Sequence, residues 1–108
     1  MSTNAEPPVK PAGPLLSVAV YTYNQERLVT ETLDSLLDGG AIERERGGVE
    51  LVVSDDCSTD GTVHAARSWM ERRGSAFRSC SLLTGEGNVG PVRNYTRAVR
   101  ACTGEIVK

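Results

Sequence analysis

The run Leu51-Val52-Val53 constrains this chain more than any other stretch. It rises from Val49-Glu50 and falls into Ser54-Asp55-Asp56-Cys57-Ser58-Thr59-Asp60-Gly61-Thr62. The run is short, β-branched and bounded by turn residues, which is the pattern of a strand buried on both faces. Strands of that kind belong to parallel sheets covered by helices. Ligands of open α/β sheets bind just beyond the carboxyl ends of the strands. A fold that buries Val52 therefore delivers Asp55 and Asp56 to the place where a small molecule would sit. Aspartate is also a common turn former where a strand exits, and the pattern alone leaves both readings open.

The rest of the chain alternates around this run. Leu15 to Tyr21 is apolar and β-branched and predicts a first strand, with a polar exit over Thr22 to Glu26. Residues from Arg27 to Leu37 place Leu28, Thr32, Leu33, Leu36 and Leu37 on one face at helical spacing. Asp38-Gly39-Gly40 ends that helix, and Ala41 to Gly48 reads as a connection without periodicity. The second strand is expected over Glu50 to Ser54. Asp60 is placed to cap a second helix, whose buried stripe would be Val63, Ala66, Trp69 and Met70 and whose stop is Gly74. Trp69 and Met70 are read as core. Arg78 to Thr84 predicts a weaker third strand, and Gly85 to Gly90 a loop. Pro91 suits the first turn of a third helix, with Val92, Tyr95, Ala98, Val99 and Cys102 facing inward. Thr103-Gly104 ends that helix, and Glu105-Ile106-Val107-Lys108 begins a fourth strand. The order β-α-β-α-β-α-β argues for an α/β fold with a parallel sheet of three strands plus the start of a fourth, and helices on both faces.

Composition narrows the function classes. The 108 residues suffice for one small domain, and 39% hydrophobic with 24% charged residues is ordinary for a globular protein. A net charge of −2 provides no basic footprint for nucleic acid or anionic membrane. Arg44, Arg46, Arg72, Arg73, Arg97 and Arg100 are scattered, and most read as solvated. Cys57, Cys80 and Cys102 form no CxxC pair and suit reduced thiols in a cytoplasmic setting better than zinc or disulfides. Residues 1–14 hold four of the five prolines and read as a disordered tail without the apolar core of a signal peptide. The longest apolar run, Leu15 to Val20, is too short to span a bilayer.

Several signatures are absent. No GxGxxG follows the first strand and no GxxxxGK[ST] exists, so dinucleotide-binding and P-loop folds are unsupported. Ser58-Thr59-Asp60-Gly61-Thr62 is similar to the DxDGT box of haloacid dehalogenase-type phosphatases, but Ser58 replaces the nucleophilic aspartate. A phosphoryl receiver would carry its acid pair after strand one, where Thr22-Tyr23-Asn24 stands.

Three segments together carry a closer resemblance. Ser17-Val18-Ala19-Val20-Tyr21-Thr22-Tyr23-Asn24-Gln25-Glu26 resembles the opening strand of family 2 glycosyltransferases, S-[VI]-[VI]-[VI]-P-[TV]-Y-N-x-E. Glu50 to Thr62 resembles their E-[IL]-[IV]-V-[VS]-D-D-x-S-x-D-x-T. Asn88-Val89-Gly90-Pro91-Val92-Arg93-Asn94 resembles N-x-G-x-x-x-[RN]-N and leads to Gly104-Glu105-Ile106-Val107, which is similar to G-E-[YI]-[IV]. The motifs occur in order and span about residues 15–108. The chain departs at Tyr21, where the family often has proline, and at Cys57, where a small residue is common.

The resemblance implies a Rossmann-like GT-A half-domain over residues 15–108 that binds the nucleotide of a sugar donor, most often a UDP-sugar. Tyr21 and Tyr23 would line the base pocket, with Asn24 shaping the loop and Glu26 near ribose or base. Asp56 would accept a hydrogen bond from the base, Asp55 would hold the loop, and Arg93 would approach base or phosphates. Tyr23 and Asp56 are read as ligand contacts, and Asn24, Asn88 and Gly90 as structural. Glu26 and Arg93 stay open between the two. The resemblance also implies Mg²⁺ or Mn²⁺ held by a DxD-type motif after the fourth strand, and a general base in a second half. No residue of this chain is assigned to either role. The expectation is an inverting, nucleotide-sugar-dependent glycosyltransferase acting in the cytoplasm or at the inner face of the membrane. Its acceptor is a sugar, lipid or polysaccharide, and the 108 residues alone are inactive and marginal in stability because of an unpaired sheet edge. The competing expectation is a non-catalytic nucleotide-binding module or a remnant of such an enzyme.

Overall fold

The computed structural model describes residues 16–106. The expected tail over 1–14, Leu15, Val107 and Lys108 lie outside the described residues. The sheet is fully parallel, with four strands in the order β3-β2-β1-β4. They are β1 (Leu16–Thr22), β2 (Val49–Asp55), β3 (Ser79–Thr84) and β4 (Glu105–Ile106). Four helices connect them: α1 (Val29–Leu36), α2 (Ala41–Arg44), α3 (Thr62–Arg73) and α4 (Pro91–Ala101). β2 is paired on both edges, by β1 and β3, and covered by helices on both faces, and all seven of its residues are buried.

Side chains of a strand alternate between faces, and here the two faces differ in what covers them. Val18, Leu51 and Val53 pack with Val29, Leu33 and Leu37 of the first helical segment and with Ala66, Trp69 and Phe77. Ala19 and Val52, opposite each other in the β1–β2 register, meet Ala98 of α4 on the other face. The helices therefore lie on both faces, α1 and α3 on one and α4 on the other. The indole of Trp69 is fully buried, and its Nε1–H donates to Asp34 Oδ1 at 2.8 Å.

Four expectations are corrected. α1 begins at Val29, after the Gln25 carbonyl accepts the N–H groups of Leu28 and Val29. That start turns the buried stripe one residue forward, onto Val29, Leu33 and Leu37, and leaves Leu28 55% exposed and Thr32 at the surface. The connection over Ala41 to Gly48 contains the one-turn helix α2, entered through Gly39 and Gly40, both at positive φ. Gly61, not Asp60, occupies the capping position of α3. Asp60 Oδ1 nevertheless accepts from the Thr62 N–H at 3.0 Å and from the Thr62 hydroxyl. In α4, Val92 is 79% exposed and Asn94 takes a fully buried position beside Ala98. A polar residue is tolerated there because its amide is bonded on both sides, as described next.

Candidate functional site

In the parallel register Thr22 pairs with Asp55, so β1 and β2 end side by side. The loops that leave them are stitched together. The Asn24 N–H donates to Ser58 Oγ at 2.8 Å, and Asn24 Oδ1 accepts the Thr59 N–H at 2.8 Å. The Gln25 N–H donates to Thr62 Oγ1 at 2.7 Å, and the Glu26 N–H to Asp60 Oδ2 at 3.2 Å. Glu26 Oε1 accepts the Gly61 N–H at 3.0 Å. A Cβ on Gly61 would lie 2.9 Å from the Glu26 carboxyl, which would have to swing aside and give up this latch. Asn24 and Cys57 both adopt positive φ, at 49° and 61°. Such conformations are uncommon outside glycine and persist where surrounding bonds fix them.

The two adjacent carboxylates are both fully buried and do different work. Asp55 Oδ1 accepts from the hydroxyls of Thr22 at 2.7 Å and Ser58 at 2.6 Å, and Oδ2 accepts the Ser58 N–H at 2.7 Å. Asp56 faces the loop between β3 and α4. Its Oδ1 accepts the Val89 N–H at 2.7 Å and its Oδ2 the Gly90 N–H at 2.9 Å. Its backbone carbonyl accepts from Asn88 Nδ2 at 3.3 Å. One acid thus locks its own turn and the other holds the entrance to α4.

The other expected site residues are arranged around this pair. Tyr21 is half-buried, and its phenol is pushed above its ordinary value by burial and then by the nearby Asp56, Tyr23 and Asp55. Tyr23, in the loop beyond, is 38% exposed. Tyr21, Tyr23, Asp55 and Asp56 therefore form one group at the ends of β1 and β2. Glu26 lies further along the β1 loop, latched to Gly61, beside an open cleft of about 520 Å³ lined by Asn24 to Leu28 and Asp60. Arg93 is exposed on the first turns of α4 and makes no hydrogen bond or ion pair among the described residues. Asn24, Asn88 and Gly90 all make bonds that hold these loops.

Sequence reasoning missed a polar cluster beneath the acid pair. The Ser54 hydroxyl donates to Asn94 Oδ1, and Asn94 Nδ2 donates to the Ser54 carbonyl at 2.7 Å. Arg97 Nε donates to Ser54 Oγ at 2.9 Å, and its Nη2 to the Asp55 carbonyl at 2.9 Å and Asn94 Oδ1 at 2.7 Å. Arg97 is thus not a solvated arginine but a strap from α4 to the end of β2. The available signal was Ser54, a hydroxyl inside a strand with no exposed face, which required a partner.

The described residues do not fit a divalent cation. Mg²⁺ and Mn²⁺ take several oxygen ligands at once, whereas Asp55 and Asp56 are fully buried and turned to different N–H and O–H donors. No group of three His, Cys, Asp or Glu side chains among the described residues could hold a metal ion. No helix among them is long and apolar enough to cross a membrane.

Comparison with known proteins places this geometry. A solved mannosyltransferase from Pyrobaculum calidifontis, in complex with GDP-Man and Mn²⁺, superposes with a TM-score of 0.74 at 32% identity. The match covers 87% of this chain and 26% of that one. A Staphylococcus aureus poly(ribitol-phosphate) β-N-acetylglucosaminyltransferase is 36% identical over 91 residues, which are 84% of this chain and 15% of that protein. The validoxylamine A glucosyltransferase of Streptomyces hygroscopicus is 42% identical over 59 residues, 55% of this chain and 12% of that enzyme. An uncharacterized Mycobacterium tuberculosis protein is 32% identical over 90 residues, and the chain spans 24% of its length. The chain thus spans a quarter or less of the curated relatives described here. The family model described as glycosyl transferase family 2 matches residues 17–107. With the stitched loops at the ends of β1 and β2 and the parallel GT-A sheet, these 108 residues belong to glycosyl transferase family 2.

Proposed function

We propose that the protein transfers a sugar from a nucleotide-sugar donor to an acceptor hydroxyl with inversion, and that this chain supplies the nucleoside end of the donor site. The observation that carries the reading is the convergence of Tyr21, Tyr23 and the two aspartates at the adjacent ends of β1 and β2. The solved relative that binds GDP-Man supports a nucleotide-sugar donor. Tyr23 offers a ring face to the base, Tyr21 closes the floor, and Glu26 lies toward the ribose. Asp55 holds the turn, and Arg93 reaches the base or phosphates from α4. Asp56 takes a base N–H, as in uracil, with the lone pairs left free by Val89 and Gly90; the contact requires the covering Gly85 to Gly90 loop to shift. Uridine is the assigned base. The metal and the general base of the reaction are assigned to no residue of this chain, and the 108 residues alone do not turn over. The acceptor is a sugar, lipid or polysaccharide. The place of action is the cytoplasm, which the three free thiols suit.

Titration of the chain with UDP and GDP, followed by backbone amide shifts, tests the reading. The expected result is saturable binding of UDP that perturbs Tyr21 to Glu26 and Asp55 to Ser58. Tyr23→Ala should weaken it by about 5- to 150-fold, the range of a lost base–aromatic stack of roughly 1–3 kcal/mol. Tighter GDP binding would reassign the base. Unchanged affinity in Tyr23→Ala would remove the stacking role.

A further inference from the structure

The polar cluster beneath the acid pair grips the peptide unit that joins the two aspartates. A peptide unit is planar, so the carbonyl of Asp55 and the N–H of Asp56 turn together. Both ends of that unit are held. The Asp56 N–H donates to the Thr22 carbonyl of β1 at 3.0 Å, and the Asp55 carbonyl accepts from Arg97 Nη2 of α4 at 2.9 Å. The guanidinium is itself fixed, since Nε donates to Ser54 Oγ and Nη2 also to Asn94 Oδ1. Its remaining nitrogen, Nη1, lies against Gly85, where a Cβ would meet it at 2.9 Å. Arg97 thus braces the first residue of the Gly85 to Gly90 loop, while Asp56 holds the N–H groups of Val89 and Gly90 at its far end. Among the described residues no carboxylate forms an ion pair with Arg97.

We propose that Arg97 is a positioning residue that aims the Asp56 carboxylate by pinning the peptide between the two aspartates, and so sets the preference for a base that carries an N–H. This role rests on the donor reading above, in which Asp56 meets the base once the loop has shifted. When the loop lets go, the carboxylate loses the Val89 and Gly90 donors that orient it. The pinned peptide then keeps its direction through the change of partner. An arginine suits the task because its planar fork reaches the hydroxyl, the amide and the carbonyl at once. A group held in place beforehand loses little freedom when the ligand arrives.

The test uses the full chain and the variants Arg97→Met, Gly85→Ala and Arg100→Gln. Amide hydrogen exchange is read at Val89 and Gly90 and, as a measure of overall stability, at Leu51 and Val53 in the middle of β2. Uridine and 3-methyluridine, which lacks the base N–H, are titrated in parallel. The parent should prefer uridine by at least about tenfold, the scale of a hydrogen bond to a charged group. Arg97→Met should raise exchange at Val89 and Gly90 by at least about tenfold more than at Leu51 and Val53. It should also cut the uridine preference to below about threefold. Gly85→Ala presses on Nη1 while keeping every charge; it should act in the same direction, and it carries the test if Arg97→Met does not fold. Arg100→Gln removes an exposed charge from the same helix and should change neither readout. Exchange that rises equally at the loop and the β2 amides overturns the proposal, because it reduces Arg97 to a contributor to stability. So does a uridine preference unchanged in both Arg97→Met and Gly85→Ala, or an equal effect of Arg100→Gln. A parent that does not distinguish the two nucleosides removes the base contact of Asp56 from the donor reading, and exchange at Val89 and Gly90 then alone decides whether Arg97 aims that carboxylate.

Discussion

At the scale of single residues, Asp55 and Asp56 show how two identical neighbours diverge once the backbone turns between them. Each oxygen of each carboxylate accepts at least one donor, and neither side chain touches solvent. An amide in place of Asp56 must turn one N–H₂ donor toward an N–H donor of Val89 or Gly90. Asp56→Asn should therefore lower stability by about 1–3 kcal/mol, the cost of a buried donor left unpaired. Urea unfolding followed by fluorescence of the single, fully buried Trp69 measures it directly. A change below the error of the extrapolation would mean the β3–α4 loop moves away at no cost. Gly90 is the complementary case. Its φ of 93° and ψ of 161° lie in a region nearly reserved for glycine, while a Cβ there would meet nothing within 4 Å. Gly90→Ala should cost about 1–3 kcal/mol through the backbone alone, and an unaltered midpoint would show the loop relaxing to another conformation.

At the scale of elements, the turn that leads into β4 is tied to β1 and β2 by side chains. Glu50 is buried in β2, and its Oε1 accepts from the Ser17 hydroxyl at 2.7 Å, the Thr103 N–H at 2.8 Å and the Thr103 hydroxyl at 3.1 Å. The Gly104 N–H in turn donates to Ser17 Oγ at 2.8 Å. Burial pushes the Glu50 carboxyl up, but these hydrogen bonds outweigh it and the net direction is down from 4.5. A folded-state value below the unfolded one means the stabilisation is complete above 4.5 and is lost as pH falls through the folded value. Thermal unfolding of the parent chain should therefore drop on acidification below 4.5, and Glu50→Gln should flatten that part of the profile. Parallel profiles would remove Glu50 from the account. The strands were legible from short apolar runs, and α3 from its stripe and its glycine stop. Leu28 and Val92 were placed on the wrong face because a stripe is fixed only once the helix start is known. The start of α1 depends on the Gln25 carbonyl, and the face of α4 on Asn94 reaching Ser54, forty residues away.

At the scale of the whole molecule, the place of the candidate site followed from the order of strands and helices. The sheet order β3-β2-β1-β4 sets the ends of β1 and β2 next to each other, where the acids and tyrosines converge. What stayed hidden was the mutual stitching of the loops and the Arg97 strap. Those bonds join segments more than thirty residues apart, and a cation on a helix face reads the same whether it meets water or a buried carbonyl. In β2 every residue is buried. A helix can absorb a substitution on its outer face, but β2 has no outer face. Each change between Val49 and Asp55 meets packed atoms, whichever way the side chain points. Tolerance should therefore be lowest in these seven positions, and a saturation library selected for soluble expression should return them nearly unvaried. The stretch that carries the acids has the least room to drift, so in inheritance the architecture guards the site.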